Sequence, residues 1–279
     1  MNKHIKMVGL DLDGTLLTSK KELTEYTKKT LEKAVAQGCE VLVSTGRPLT
    51  AIPQYLINFP GMKYALTANG ARIVDVRTGE AIYENLVPVD IAAQVLDILA
   101  DYDDVYEVII NGQGYTKAEY LRNVQKYYAS PSMQKYMLTT RIPVENVKEV
   151  MFEKNCPVDK VHGIFSDLGE LNELKEARER IERIPNIEIT GAFSNTLEVN
   201  AAGVNKGAGL VKLGELLGIA REDIMACGDG MNDYEMLKEV GFGVAMGNAD
   251  ERVKAIADYV TDTNDNEGVA KAFDKFVIR

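Results

Sequence analysis

The chain has 279 residues, enough for one large domain or two modest ones, and its 46% hydrophobic and 27% charged content excludes a disordered or fibrous protein. A formal charge of −10 argues against nucleic acid or an anionic membrane as the partner, since both reward clustered Lys and Arg. Cys39, Cys156 and Cys227 lie far apart with no zinc-ligand spacing, and no apolar run suits a signal peptide or a membrane span, so the sequence reads as a cytoplasmic protein with reduced thiols.

Ile5 to Leu10 is a short apolar run that ends in Asp-Leu-Asp-Gly-Thr, a buried strand meeting a loop. Leu23, Tyr26, Thr30, Leu31, Ala34 and Val35 recur at helical spacing, with Gly38 where a helix C-cap belongs. Cys39 to Val43 is again strand-like and stops at Ser44-Thr45-Gly46-Arg47-Pro48. The proline suits a first helical turn, which predicts a helix from Pro48 to about Asn58. Strand, helix, strand, helix is the signature of a parallel sheet with right-handed crossovers.

The middle of the chain reads differently. Ile91, Val95 and Leu99 mark a helix, Val105 to Ile110 a strand before the turn-like Asn-Gly-Gln-Gly, and Lys160 to Phe165 another strand. Leu171 to Ile184 is a charged helix, and Ile187 to Phe193 and Thr196 to Val199 are strands around Ser194-Asn195. Strands outnumber the helices here, which indicates an antiparallel sheet with helices on one face. Residues 85–195 are therefore expected to be an inserted α+β domain, with residues 1–84 and 196–279 forming the doubly wound, Rossmann-like α/β core. In the last third the alternation returns: helix to Leu217, strand to Cys227, helix from Tyr234 to Val240, and strands at Phe242 to Met246 and Tyr259 to Thr261.

Ligands of open parallel sheets bind beyond the C-terminal ends of the strands. Asp11 and Asp13 follow the first strand, Thr45 and Gly46 the second, and Asp229, Asn232 and Asp233 a late one. Four carboxylates gathered on one rim require a cation among them, and hard oxygen ligands favour Mg²⁺. Lys206 supplies a second positive charge, and the whole suits a phosphoryl group. Asp11 is placed to attack phosphorus, Asp13 to act as general acid and base, and Gly14 to allow the tight turn. Thr45 and Gly46 offer an anion site at a helix start, Lys206 balances charge, Asp229 holds the metal and Asp233 orients the groups around it. Each motif alone has a plain reading: a common strand end, a good helix start, a solvated lysine. Gly228-Asp229-Gly230 lacks the third glycine of a dinucleotide fingerprint, and there is no P-loop and no GxSxG. His162, one of two histidines, reads as a structural residue of the inserted domain.

Taken in order, Asp11-Leu12-Asp13-Gly14-Thr15, Ser44-Thr45-Gly46-Arg47, Asn205-Lys206-Gly207 and Gly228-Asp229-Gly230-Met231-Asn232-Asp233 closely resemble the motifs of the haloacid dehalogenase superfamily, specifically its Cof-type sugar phosphatases with a large inserted cap. The resemblance spans nearly the whole chain. It implies Mg²⁺ held by Asp11, the Asp13 carbonyl and Asp229. It also implies phosphate bound by Asp11, the Leu12 amide, Thr45, Gly46, Lys206 and Asn232, with Arg47 and Asp233 behind them. A cap would choose the leaving group, and the implied substrate is a small phosphorylated metabolite such as a hexose phosphate. A phosphomutase would keep the same core residues, and a non-catalytic binding protein on the same fold could dispense with Asp11 or Asp13, both of which are present. Tyr115, Tyr120, Tyr127, Tyr128 and Tyr136 are candidate sugar contacts, with ordinary packing as the plain alternative.

Overall fold

The computed structural model describes residues 4–102, 105–165, 171–191 and 195–279. Its strands, in chain order, are β1 (Met7–Leu10), β2 (Glu40–Ser44), β3 (Tyr64–Thr67), β4 (Arg72–Asp75), β5 (Ala81–Glu84), β6 (Val105–Ile110), β7 (Gln113–Lys117), β8 (Arg141–Val144), β9 (Lys160–Ile164), β10 (Ile187–Thr190), β11 (Thr196–Ala201), β12 (Ile224–Gly228), β13 (Phe242–Ala245) and β14 (Tyr259–Val260). They form two sheets within two compact units. One unit comprises the described residues of 1–46, 53–84 and 205–279, the other those of 47–52 and 85–204.

The first unit holds an eight-stranded sheet in the order β14-β13-β12-β1-β2-β3-β4-β5. Neighbours from β14 to β3 run parallel, while β4 and β5 turn back antiparallel at one edge. β1 lies at the middle with every residue buried, as expected of a parallel strand covered on both faces. Its register places Leu10 opposite both Val43 of β2 and Cys227 of β12. The residues that follow these three strands therefore leave the sheet side by side, and this alone brings Asp11, Thr45 and Asp229 to one rim. Between β1 and β2 the helix Glu25–Ala36 starts on Thr24, whose hydroxyl accepts from the Thr27 N–H, and buries Thr27, Thr30, Leu31 and Ala34.

The second unit is a six-stranded sheet in the order β10-β11-β9-β6-β7-β8, antiparallel except for the β7–β8 pair. The hairpin between β6 and β7 turns on Asn111 and Gly112 with φ of 51° and 72°, the primed geometry that matches strand twist. On one face Gly163 backs onto Leu99 of the helix Val89–Leu99. On the other, Glu107, His162 and Glu198 are register neighbours. Arg141 grips the fully buried Glu107 through Nε at 2.5 Å and Nη2 at 2.7 Å, and His162 Nδ1 lies 3.0 Å from the same carboxylate. Burial acts to raise the Glu107 carboxyl, but the Arg141 guanidinium outweighs it and holds the group well below the usual carboxylate range.

Three differences from the sequence reading have physical causes. The second unit extends past 195, because β11 pairs antiparallel with β9 (Thr196↔Ile164) and β10 (Ala201↔Ile187), and it also takes in residues 47–52. The helix expected from Pro48 to Asn58 is broken by Pro53 into a 3₁₀ turn, Leu49–Ala51, and a single helical turn, Gln54–Ile57. Residues 59–84, where the sequence pattern marks no element, supply β3, β4 and β5. The expected strand end at Phe193 and turn at Ser194 lie outside the described residues. Among the described residues, no helix is long and apolar enough to cross a membrane.

Candidate active site

Asp11 is the first residue beyond β1, and its N–H still continues the sheet by donating to the Cys227 carbonyl at 3.0 Å. Its side chain is buried at the rim. The loop then turns sharply: the Leu16 N–H donates to the Asp11 carbonyl at 3.1 Å and the Leu17 N–H to the Leu12 carbonyl at 2.9 Å. Gly14 carries the bend with φ of 86°, and a Cβ there would stand 2.3 Å from Asp229 Oδ2. The turn thus lets the strand-end loop of β1 lie directly against the carboxylate from β12.

Lys206 is the first residue of the helix Lys206–Leu217, capped by the Asn205 side chain, which accepts from the Ala208 N–H. The Lys206 side chain runs inward with no exposed surface. Nζ donates to Asp11 Oδ1 and to Asp233 Oδ1, both at 2.6 Å. The other Asp233 oxygen accepts the N–H groups of Asp229 and Gly230, at 2.9 and 3.0 Å, fixing the loop after β12. Asp229 Oδ1 accepts from the Thr15 hydroxyl at 2.7 Å. Asn248 donates to the Gly14 carbonyl at 2.8 Å and so ties the first loop down from the far side.

One carboxylate oxygen from each of Asp11, Asp229 and Asp233 falls within 4.8 Å of the others. Against three carboxylates stands one buried ammonium. Burial raises Asp11 to about 8, only partly countered by Lys206, with the charges of Asp233 and Asp229 adding to the rise. Burial likewise raises Asp229 to about 6, eased by the Thr15 hydrogen bond. Lys206 is held above its ordinary value by Asp11 and Asp233 despite burial. Oxygen donors with uncompensated negative charge fit a hard divalent cation, and the cluster can hold a metal ion.

Thr45 is buried at the end of β2, where its N–H donates to the Leu66 carbonyl at 2.9 Å and its carbonyl accepts from Asn69. Gly46 and Asn232 are partly exposed, and Leu12 is fully buried. The Asp13 carboxylate meets Lys21 at 2.6 Å. Arg47 belongs to the second unit, where it donates to the Ala51 carbonyl and stacks 4.9 Å from the Tyr136 ring. The tyrosines are partly absorbed by packing: Tyr120 and Tyr127 are buried edge to face at 5.5 Å, and Tyr136 also stacks on Arg141. Thr15, Lys21 and Asn248 escaped the sequence reading. Thr15 lies inside the first motif, and no periodicity marks Lys21.

Residues 8–273 match the family model of the haloacid dehalogenase-like hydrolases. The chain is 31% identical over 274 residues to 5-amino-6-(5-phospho-D-ribitylamino)uracil phosphatase YcsE of Bacillus subtilis, covering 98% of this chain and 96% of that one. It is also 31% identical to Phosphatase YwpJ of the same organism, over 95% of this chain and 98% of the relative. Among solved structures, a haloacid dehalogenase-like hydrolase from B. subtilis superposes with a TM-score of 0.83 at 30% identity, covering 97% and 99% of the two chains. A subclass IIB sugar phosphatase superposes at 0.81 with 27% identity, covering 98% and 100%. The chain belongs to the haloacid dehalogenase-like hydrolases, in their Cof-type branch, and is a phosphatase acting on phosphoric monoesters.

Proposed function

We propose that the protein is a Mg²⁺-dependent phosphatase of small phosphorylated sugars or sugar alcohols that works through an aspartyl-phosphate on Asp11. The observation that carries this reading is the buried Lys206 ammonium shared between Asp11 and Asp233 at 2.6 Å each. A lysine in that position orients Asp11, opposes the rise that burial imposes on its carboxyl, and offers positive charge where a phosphoryl group would arrive. The ribityl phosphate in the name of one relative and the sugar phosphate in that of a structural neighbour share a phosphorylated polyhydroxy chain, which supports the substrate class.

Asp11 attacks phosphorus through a carboxylate oxygen, forming a P–O bond as the ester P–O bond breaks. Asp13 gives its proton to the leaving oxygen, then takes one from the water that opens the acyl phosphate. The Thr45 hydroxyl, the Leu12 and Gly46 amides and the Asn232 side chain bind the phosphoryl oxygens. Asp11, Asp229 and the Asp13 carbonyl would hold Mg²⁺, which supplies charge neutralisation for the transferring group. Asp233 acts through others, anchoring Lys206 on one oxygen and the Asp229 loop on the other.

The test is phosphate release from a panel of hexose, ribose and ribitol phosphates, with Mg²⁺ and with EDTA, for the wild type and Asp11→Asn. Release that requires both the metal and Asp11 is expected. Release that persists in Asp11→Asn overturns the covalent mechanism.

A further inference from the structure

Beyond Thr15 the chain folds back on itself as a flap. Asp13 and Leu17 form an isolated bridge, the Thr18 N–H donates to the Glu22 carbonyl at 3.0 Å, and the Lys21 N–H to the Thr18 carbonyl at 2.8 Å. The turn is anchored from the C-terminal segment: Asn264 donates to the Leu17 carbonyl at 2.9 Å and Asp265 accepts the Ser19 N–H at 2.8 Å. Within it Lys21 has φ of 63°, a conformation that a lysine adopts only at some cost. The turn directs Nζ onto Asp13 Oδ1 at 2.6 Å. Both side chains are substantially exposed, at 48% and 32%, so the pair adds little to stability. A strained backbone, two anchors and a short charged contact therefore converge on the orientation of one carboxylate.

We propose that Lys21 is a positioning residue for Asp13, fixing the rotamer from which that carboxyl delivers its proton to the leaving oxygen and later takes one from water. The inference rests on Asp13 being the acid and base. The ammonium holds one oxygen, Oδ1, and so favours one orientation of the carboxyl between the two proton transfers. Lys21 touches neither phosphate nor metal in this scheme, so its loss acts on turnover and spares substrate binding.

Lys21→Met, Lys21→Arg, Asp13→Asn and the double variant Asp13→Asn/Lys21→Met are compared on ribitol phosphate, whose alkoxide needs a proton, and on p-nitrophenyl phosphate, whose phenolate does not. Lys21→Met is expected to lower kcat on ribitol phosphate about tenfold, with KM little changed and a smaller loss on p-nitrophenyl phosphate. Lys21→Arg restores most of the rate, and the double variant is no slower than Asp13→Asn alone. Equal losses of kcat/KM on both substrates, a quantity that reports ester cleavage and not the later hydrolysis, or independent losses in the double variant, overturn the inference. Wild-type kinetics of Lys21→Met beside a crippled Asp13→Asn overturns the inference alone. Full turnover by Asp13→Asn overturns the acid and base reading and the inference with it.

Discussion

The Lys206 ammonium lies 2.6 Å from Asp11 Oδ1 with none of its side chain exposed to solvent. A buried cation in that position has no water to fall back on, so its charge and that of its partners stand or fall together.

Lys206→Met should therefore leave Asp233 buried without its counter-charge and remove the one cation that opposes protonation of Asp11. A loss of about 3–5 kcal/mol in stability is expected, visible in the urea midpoint at pH 7. Turnover should drop on the order of 10²-fold or more, since the charge facing the phosphoryl oxygens goes too. Added Mg²⁺ should restore part of the stability and little of the rate. Wild-type kinetics in Lys206→Met would remove the lysine from the chemistry.

Proton and metal should compete for the same carboxylates. Burial raises Asp11 to about 8 and Asp229 to about 6, so the folded protein binds more protons than the unfolded chain between pH 5 and 8. Stability that rests on those protons is complete below the ordinary aspartate range and is lost as pH rises through 6 and then 8. The metal-free protein should thus lose Tm from pH 5 to 8, each kcal/mol being worth about 2–4 °C in a chain of this size. Saturating Mg²⁺ should flatten that slope, and Mg²⁺ should bind more tightly as pH rises, releasing protons. Thermal melts in EDTA and in Mg²⁺ across this range check both, and a metal-free Tm that rises with pH would contradict the assignment.

Gly14→Ala should act on the metal more than on the fold. At φ of 86° the new Cβ would stand 2.3 Å from Asp229 Oδ2 and 2.9 Å from Oδ1, so the carboxylate must move. A loss of about 10–100-fold in Mg²⁺ affinity is expected. Thr15→Val, which removes only the 2.7 Å hydrogen bond to Asp229, should give a smaller shift in the same direction. Titration of activity against Mg²⁺ separates these from a loss of kcat at saturation.

The rim was legible because the parallel sheet makes it so. A polar residue that ends an apolar run must appear at the C-terminal edge, and β1, β2 and β12 are adjacent in register. Asp11, Thr45 and Asp229 needed nothing more. The antiparallel edge was not legible: β4 carries Arg72 and Asp75 on a buried strand, and Arg72 is matched by Glu84 of β5, a pairing that hydrophobic periodicity cannot see. The second unit reaches beyond 195 although Thr196 to Val199 reads as a strand, because only its pairing with β9 and β10 assigns that strand to this unit. β11 is buried throughout but includes Glu198 and Asn200, whose partners Lys160 and Asp159 are distant in sequence. Lys21 was invisible because its role depends on a turn tied down by Asn264 and Asp265, some 240 residues further along.

The Glu107–Arg141 pair gives the second unit its own acid sensitivity. The carboxylate is fully buried and bound through both oxygens, with His162 on one of them. Because the guanidinium holds Glu107 below its ordinary range, the pair contributes stability above about pH 4.3, the unfolded value, and loses it as pH falls through the folded value. Glu107→Gln should cost about 3–5 kcal/mol at pH 7, because Arg141 would remain buried with its charge unmatched. The double replacement Glu107→Leu/Arg141→Met should recover much of that loss, since neither charge is then taken out of water. Glu107→Gln should also have a shallower acid slope than the wild type, its unfolding midpoint falling less between pH 5 and 3. Urea titrations at these pH values decide the matter: a single variant as stable as the wild type would mean the pair is neutral in the fold.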